Sequence, residues 1–297
     1  MSLFIQRMFD GLAEGSIYAL LALALVVIFR STGQLNFAQG EIGTLCAFFA
    51  STLTLSGVPV WLSILIVMVI GFAIAAVVER VVVRPIEDRN PGAVIVALIG
   101  VFLAVNQLSA MFWGVDARAL PSLFPTDANA FFRFPGTDAA IRYERVGIIG
   151  VLIVMLILLY LLFNKTKIGL AMRAVANNQE SSNLVGIRVG NILILGWGLA
   201  GAIGALAAVM LAPSAALSGT LMLGPFLLAS VAAVLGGLDS PVGAVVGGLI
   251  IGLLKAFLIG YVDFLSDMLF PVMLVVLLGV LLLRPAGLFG TEKVVRV

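Results

Sequence analysis

Long apolar runs, broken by short polar or Gly/Pro-rich stretches, dominate the chain. Their lengths predict membrane-spanning helices rather than the core helices of a soluble domain. The runs lie near residues 12–29, 39–55, 60–79, 93–113, 146–163, 191–211, 222–238, 242–260 and 264–283. The second and seventh are short and rich in Gly, Ser or Pro, so a half-helix or re-entrant segment fits each as well as a full crossing. The expected fold is an all-α polytopic membrane protein with eight or nine transmembrane helices. Residues 1–297 then form a single integral membrane domain, with a 114–145 loop on one face and a 164–190 loop on the other.

Composition strengthens this reading. Hydrophobic residues make up 62% of the 297 positions and charged residues 11%, against roughly 25% charged in an average soluble domain. At about 20 apolar residues per span, little remains for a soluble domain. There are no histidines, which removes the commonest metal ligand and general base and any Ser–His or Cys–His constellation within this chain. No metal or cofactor site is expected. The lone Cys46 reads as a small core residue. Lysine occurs only at 165, 167, 255 and 293, none of them after a glycine, so there is no phosphate-binding G-x-x-x-x-G-K-[ST] loop. Any ATP that drives this chain must be bound by another subunit. A formal charge of +2 gives no footprint for nucleic acid. Residues 1–10 carry one Arg and no small-residue cleavage pattern, so no removed signal peptide is expected.

Lys and Arg set the orientation. With the 164–190 loop inside, the cytoplasmic face collects Arg30, Arg80, Arg84, Arg89, Lys165, Lys167, Arg173, Arg188, Arg284, Lys293 and Arg296, which is 11. The external face collects Arg7, Arg118, Arg133, Arg142 and Arg145, which is 5. The expectation is an external N-terminus, a cytoplasmic C-terminus and an external 114–145 segment. That segment balances four acids against four arginines among three prolines. It suits either a surface for a soluble partner or a plain connector.

Three regions carry more than hydrophobicity. In the 164–190 loop, Ile168-Gly-Leu-Ala-Met-Arg-Ala-Val-Ala176 reads as a short amphipathic helix with Leu170, Ala174 and Val175 on its apolar face. Such a helix can lie at the lipid interface or dock into a groove on a cytoplasmic protein. In the 31–41 turn, Asn36 and Gln39 have the spacing of a capping box. Glu41 falls in the helix's first turn, where an ionisable group entering the membrane faces a partner or an aqueous cavity. Glu14 in the first span is a second candidate of this kind. Small-residue stripes at Ala200, Gly204 and Ala208, Gly243 with Gly247, and Gly248 with Gly252 predict close helix packing, within the subunit or across a dimer. Pro213, Pro225, Pro241 and the Gly236-Gly-Leu-Asp-Ser-Pro241 break free backbone groups that survive at membrane depth only when buried or facing water. Asn36, Gln39, Glu41 and Pro225 are thus candidate linings of a translocation path. Lys255 is expected to snorkel or to pair with a carboxylate such as Asp239 or Asp263.

Several segments together resemble one family. They are Gly11-Leu-Ala-Glu-Gly-Ser-Ile-Tyr-Ala-Leu20, Gly33-Gln-Leu-Asn-Phe-Ala-Gln-Gly-Glu41, Glu79-Arg-Val-Val-Val-Arg-Pro85, Gly169-Leu-Ala-Met-Arg-Ala-Val-Ala176, Leu184-Val-Gly-Ile187, Ala232-Ala-Val-Leu-Gly-Gly-Leu-Asp-Ser-Pro241 and Arg284-Pro-Ala-Gly-Leu-Phe-Gly290. In this order, and nearly end to end, they resemble the LivH-type permeases of branched-chain amino acid ABC importers. The resemblance implies a type II importer fold like that of the vitamin B12 and ribose permeases. It implies a coupling helix near residues 169–180, with Gly169, Leu170, Arg173, Ala174, Glu180, Leu184 and Gly186 meeting the ATPase. It further implies a LivM-like second permease, two cytoplasmic ABC ATPase subunits, a periplasmic amino-acid-binding protein and a bacterial inner membrane. Gln39 departs from the family pattern, in which a histidine or another polar residue is common at this place. Related permeases for urea and short-chain amides leave the cargo open. Readings of another class are an ion-coupled secondary transporter, for which Glu41 and Lys255 are the strong candidates, and a channel. No span carries a catalytic pair, so the chain is not expected to be an enzyme.

Overall fold

The computed structural model describes residues 2–87, 90–127, 130–133, 140–261, 264 and 268–290. The elements are α1 (Ser2–Thr32), α2 (Gln39–Leu55), α3 (Val60–Val78), a π turn (Glu79–Val83), α4 (Arg84–Glu87), α5 (Pro91–Trp113), strands β1 (Phe131–Arg133) and β2 (Ala140–Arg142), then α6 (Tyr143–Lys165), α7 (Lys167–Asn177), α8 (Gln179–Leu184), α9 (Val189–Leu211), α10 (Leu223–Gly236), α11 (Pro241–Tyr261) and α12 (Leu269–Leu283). Each apolar run becomes a helix, and the protein is a polytopic membrane protein. Among the described residues, six helices are long and apolar enough to cross a bilayer: α1, α3 with its π and α4 extension, α5, α6, α9 and α11. The 17 residues of α2 and 14 of α10 rise only roughly 25 and 21 Å at 1.5 Å each. The first span exceeds its expected 12–29 bounds because residues 2–11 continue the same helix.

The described parts of residues 1–26, 122–152 and 225–297 form one compact unit, and 27–121 with 153–224 form the other. In the second, α9 packs against α3 and α2. Glycines set the closeness of these crossings. A Cβ on Gly71 would stand 2.7 Å from the Gly201 carbonyl and 3.2 Å from the Cys46 sulfur, so Cys46 is the core residue its setting suggested. A Cβ on Gly43 would likewise meet the Gly204 carbonyl and Ala208, which places the Ala200–Gly204–Ala208 stripe against α2 within the subunit.

In the first unit the glycines of α11 divide between two faces. Gly243 and Gly247 lie against Gly236 and Ala232 of α10, while Gly248 and Gly252 lie against Ala19, Gly15 and Gly11 of α1. Both stripes are therefore used inside the subunit. The break between α10 and α11 was expected to leave freed backbone groups, and the chain itself satisfies them. The Leu235 and Gly236 carbonyls accept from Leu288 and Phe289 N–H at 2.8 and 3.0 Å, and Ser240 Oγ accepts from Gly243 N–H at 3.0 Å. The closing Arg284–Gly290 motif thus caps α10 and needs no water there. Part of the 114–145 segment is structured, since β1 and β2 pair antiparallel with Phe131 opposite Arg142.

Candidate functional site

The first candidate site lies at the start of α2. Asn36, Gln39 and Glu41 are buried and lie together in one polar run. The capping box does not form: Ala38 occupies the cap position with helical backbone angles and no side-chain cap bond. Asn36 instead closes a local turn, its Oδ1 accepting from Ala38 N–H at 3.0 Å, and its Nδ2 donates to Gln39 Oε1 at 3.1 Å. Gln39 Nε2 then donates to the Ala200 carbonyl of α9 at 2.7 Å. This long-range bond wins over the local cap because a buried amide left without partners costs about 1–3 kcal/mol. Glu41, 1% exposed, accepts from Asn106 Nδ2 at 3.0 Å, and the same Nδ2 donates to the Gly219 carbonyl at 3.0 Å. Sequence reasoning passed over Asn106. The signal was there, since Asn106-Gln107 interrupts an otherwise apolar run.

This cluster sits deep along the helices. Asn106 is 15 residues into α5, about 22 Å from its start, and Ala200 is 11 residues into α9, about 16 Å along. The first turn of α2 therefore begins part-way along its neighbours, while its last turn reaches the end of α5, where Trp113 Nε1 donates to Thr52 Oγ1 at 2.7 Å. Gly219 belongs to the irregular segment after α9, which pairs with Arg118 through reciprocal bonds at Leu217. Pro225, the fourth candidate, opens α10 in the other unit, where a proline in the first turn removes no helical bond.

The second candidate site is the α7–α8 hairpin, a break-bearing version of the single helix expected over 169–180. Thr166 Oγ1 caps α7 by accepting from Gly169 N–H at 3.0 Å, and Asn178, in extended conformation, caps α8 through Ser181 N–H at 2.8 Å. A Cβ on Gly169 would strike the Leu162 carbonyl and Phe163, so glycine permits the sharp α6–α7 corner. Gly186, at φ +84°, ends α8: its N–H reaches the Asn183 carbonyl and that of Ile187 the Ser182 carbonyl, both at 3.0 Å. This paired pattern is a Schellman motif, which favours glycine at its left-handed position. The face of α7 differs from the expected one. Met172 and Val175 turn inward, Val175 joining Val189 and Leu193, whereas Leu170 is 61% exposed and Ala174 half-buried. Arg173 and Glu180 are exposed as well, and Leu184 is 88% exposed.

One polar link fastens the hairpin to a helix end, and a second joins α4 to the start of α9. Gln179 Nε2 donates to the Ser31 carbonyl at the end of α1 at 2.7 Å. Arg84 grips the buried Glu79 carboxylate through Nε and Nη2 at 2.9–3.1 Å and donates from Nη2 to the Gly190 carbonyl of α9 at 2.5 Å. The π turn at Glu79–Val83 brings the two side chains together across five positions. Arg84→Met strands Glu79 and should lower stability by about 2 kcal/mol, below the roughly 3–5 kcal/mol of a fully buried pair because Arg84 is 32% exposed. Arg84→Lys keeps the charge but cannot fork, and should recover only part of the loss. Thermal unfolding of both variants, with Glu79→Leu/Arg84→Met as the pair deletion, checks this: the double variant should unfold above Arg84→Met.

Lys255 finds a partner other than those expected. Its Nζ pairs with Glu14 at 2.7 Å and donates to Tyr18 Oη at 3.0 Å, while Tyr18 Oη donates to Glu14 at 3.3 Å. Asp239 precedes α11, whose start lies about 21 Å of helix from Lys255, and Asp263 lies outside the described residues, as do Arg89, Lys293 and Arg296. The glycine seam between α1 and α11 brings Glu14 level with Lys255. A second pair, Arg145 to Asp10 at 3.1 Å, ties α6 to α1.

The chain is 31% identical to the high-affinity branched-chain amino acid transport system permease protein BraD of Pseudomonas aeruginosa, over 99% of this chain and 98% of the relative. It is 29% identical to the corresponding LivH of Escherichia coli, with the same coverage of both chains. A fructose import permease protein, FruF of Bifidobacterium longum, is 26% identical over 66% of this chain and 52% of its own length. No solved structure matches. Residues 7–283 match the family model described as branched-chain amino acid transport system / permease component, and the chain belongs to that family.

Proposed function

We propose that this chain is the translocating subunit of an ATP-binding cassette importer for branched-chain amino acids, working in a bacterial inner membrane. The observation that carries the reading is the near end-to-end similarity to the Pseudomonas and Escherichia permeases, whose names state that cargo. The fructose permease matches a shorter part of both chains, so the cargo rests on the two full-length relatives. The fold is of type II, like the vitamin B12 and ribose permeases, and residues 1–297 form one permease domain. The charge asymmetry puts the N-terminus and 114–145 outside, and the 164–190 loop and C-terminus in the cytoplasm.

In this reading a periplasmic binding protein delivers the amino acid, a LivM-like permease completes the membrane pair, and two ATPase subunits supply the energy. The α7–α8 hairpin docks on one ATPase subunit. Leu170, Arg173 and Leu184 face outward, with Glu180 beside them, while Gly169, Ala174 and Gly186 shape the hairpin that presents them. Exposed leucines on a well-capped turn suit a protein groove. Gln179 passes a displacement of the hairpin to the end of α1 through the Ser31 carbonyl. Asn36, Gln39 and Glu41 line the path. Copurification from cells expressing the whole importer tests the assembly: the ATPase subunits should come down with this chain, and a permease isolated without them would contradict the reading.

A further inference from the structure

We infer that Glu41 and the Gly219 carbonyl form a station for the ammonium group of the cargo, and that the Asn106 amide is its resident stand-in. The inference rests on the permease reading above and adds a recognition site to it. Its starting point is a buried carboxyl group with no cationic partner among the described residues. Glu41 is buried deep along α2, α5 and α9, and among the described residues no Lys or Arg nitrogen lies within 4.0 Å of it. The buried Glu79 has its arginine; among the described residues Glu41 has only an amide. Leaving a carboxylate buried without a cation is costly, and where such groups persist in membrane proteins they mark binding sites or passages.

The arrangement around it has the pattern of an ammonium site. Glu41 Oε2 and the Gly219 carbonyl are both acceptors, so Asn106 must turn its NH2 group towards them, and that single nitrogen donates to both at 3.0 Å. One nitrogen giving hydrogen bonds to a carboxylate and a carbonyl is what a primary ammonium does, with a third donor and a charge to spare. The Gly219 carbonyl is free to accept because its segment is not helical, and irregular backbone at membrane depth supplies such acceptors in other transporters. Glu41 is sealed, whereas Asn106 and Gly219 are only half-buried. The amide is thus the outer element, and its displacement opens the carboxylate. A side chain that holds the site by neutral hydrogen bonds and yields to a charged ligand gives weak, reversible binding, which suits a passage that must also release.

The test uses the intact importer complex in nanodiscs, with binding of labelled L-leucine challenged by two part-ligands. 3-Methylbutylamine has the ammonium and lacks the carboxylate; 4-methylpentanoate has the reverse. The amine should compete and the acid should not. Glu41→Gln keeps the hydrogen bond to Asn106 while removing the charge, and should weaken leucine and amine binding at least tenfold with the melting temperature retained. Asn106→Ala removes the stand-in and should strengthen amine competition, a gain that a merely structural amide does not predict. Equal competition by amine and acid, unchanged binding in Glu41→Gln, or no leucine binding to the wild-type complex at millimolar concentration overturns the station. Uptake by the wild-type complex, measured alongside, separates the two ideas. Failure of ATP-driven leucine uptake sinks the permease reading, whereas intact uptake with an insensitive Glu41 sinks only the station.

Discussion

Replacing Leu184 with glutamate should leave the chain folded and inserted yet all but abolish ATP-driven uptake. Leu184 is 88% exposed and is the last residue of the short helix α8, so a charge there removes no packing. Surface changes of this kind stay within about 0.5 kcal/mol of stability. In the proposed assembly the same leucine enters an ATPase groove, where losing an apolar anchor costs about 2 kcal/mol or more, roughly a thirty-fold loss of affinity. Leu170→Glu, on a residue 61% exposed, should act in the same direction, and the pair together should leave uptake at background. Gly186 is a poorer choice for this experiment. At φ +84° any side chain strains the Schellman turn, so a loss of transport there would mix misfolding with uncoupling. Transport rate, complex recovery and thermal stability measured on one preparation distinguish the two, and normal uptake in the double variant would remove the hairpin from the coupling role.

The second large effect belongs to stability. Gly252→Leu should prevent accumulation of folded protein, because a Cβ at Gly252 would already overlap Gly15 and the Gly11 carbonyl of α1. Backbone cannot step aside as a flexible side chain can. Overpacking of about 1–3 kcal/mol is therefore a lower bound here, against a typical total of only about 5–15 kcal/mol. The same displacement pulls Lys255, one turn further on, away from Glu14 and Tyr18. Gly100 and Gly279 are the controls. A Cβ at either meets nothing within 4 Å, so alanine there should be neutral or slightly stabilising through helix propensity. Membrane levels and thermal unfolding of the variants give the comparison, and a wild-type melting curve for Gly252→Leu would contradict the seam.

What the sequence disclosed and what it hid divide along a physical line. Helices, breaks and corner glycines are set by local pattern, so α3, α5, α9 and α11 appear within a few residues of their expected bounds. Partners across the fold are not local. Asn36 and Gln39 have the spacing of a capping box, but the Ala200 carbonyl offers Gln39 a better bond than the local backbone does. Lys255 was expected to snorkel or to pair with a carboxylate, yet the choice of Glu14 depends on how closely glycines let α1 meet α11. The inward face of α7 depends on where Val189 and Leu193 lie, and helical spacing alone could not orient Leu170. Asn106 was hidden for a similar reason, since its meaning comes from two acceptors 65 and 113 positions away.

The central claim is that this chain moves amino acids only as part of an ATP-driven assembly. Uptake of labelled leucine into proteoliposomes holding the full permease–ATPase complex, with its binding protein outside and ATP inside, tests it most directly. Accumulation should require both ATP and the loaded binding protein and should survive collapse of proton and sodium gradients. Uptake that persists without ATP, or that stops when the gradients are dissipated, would contradict the account.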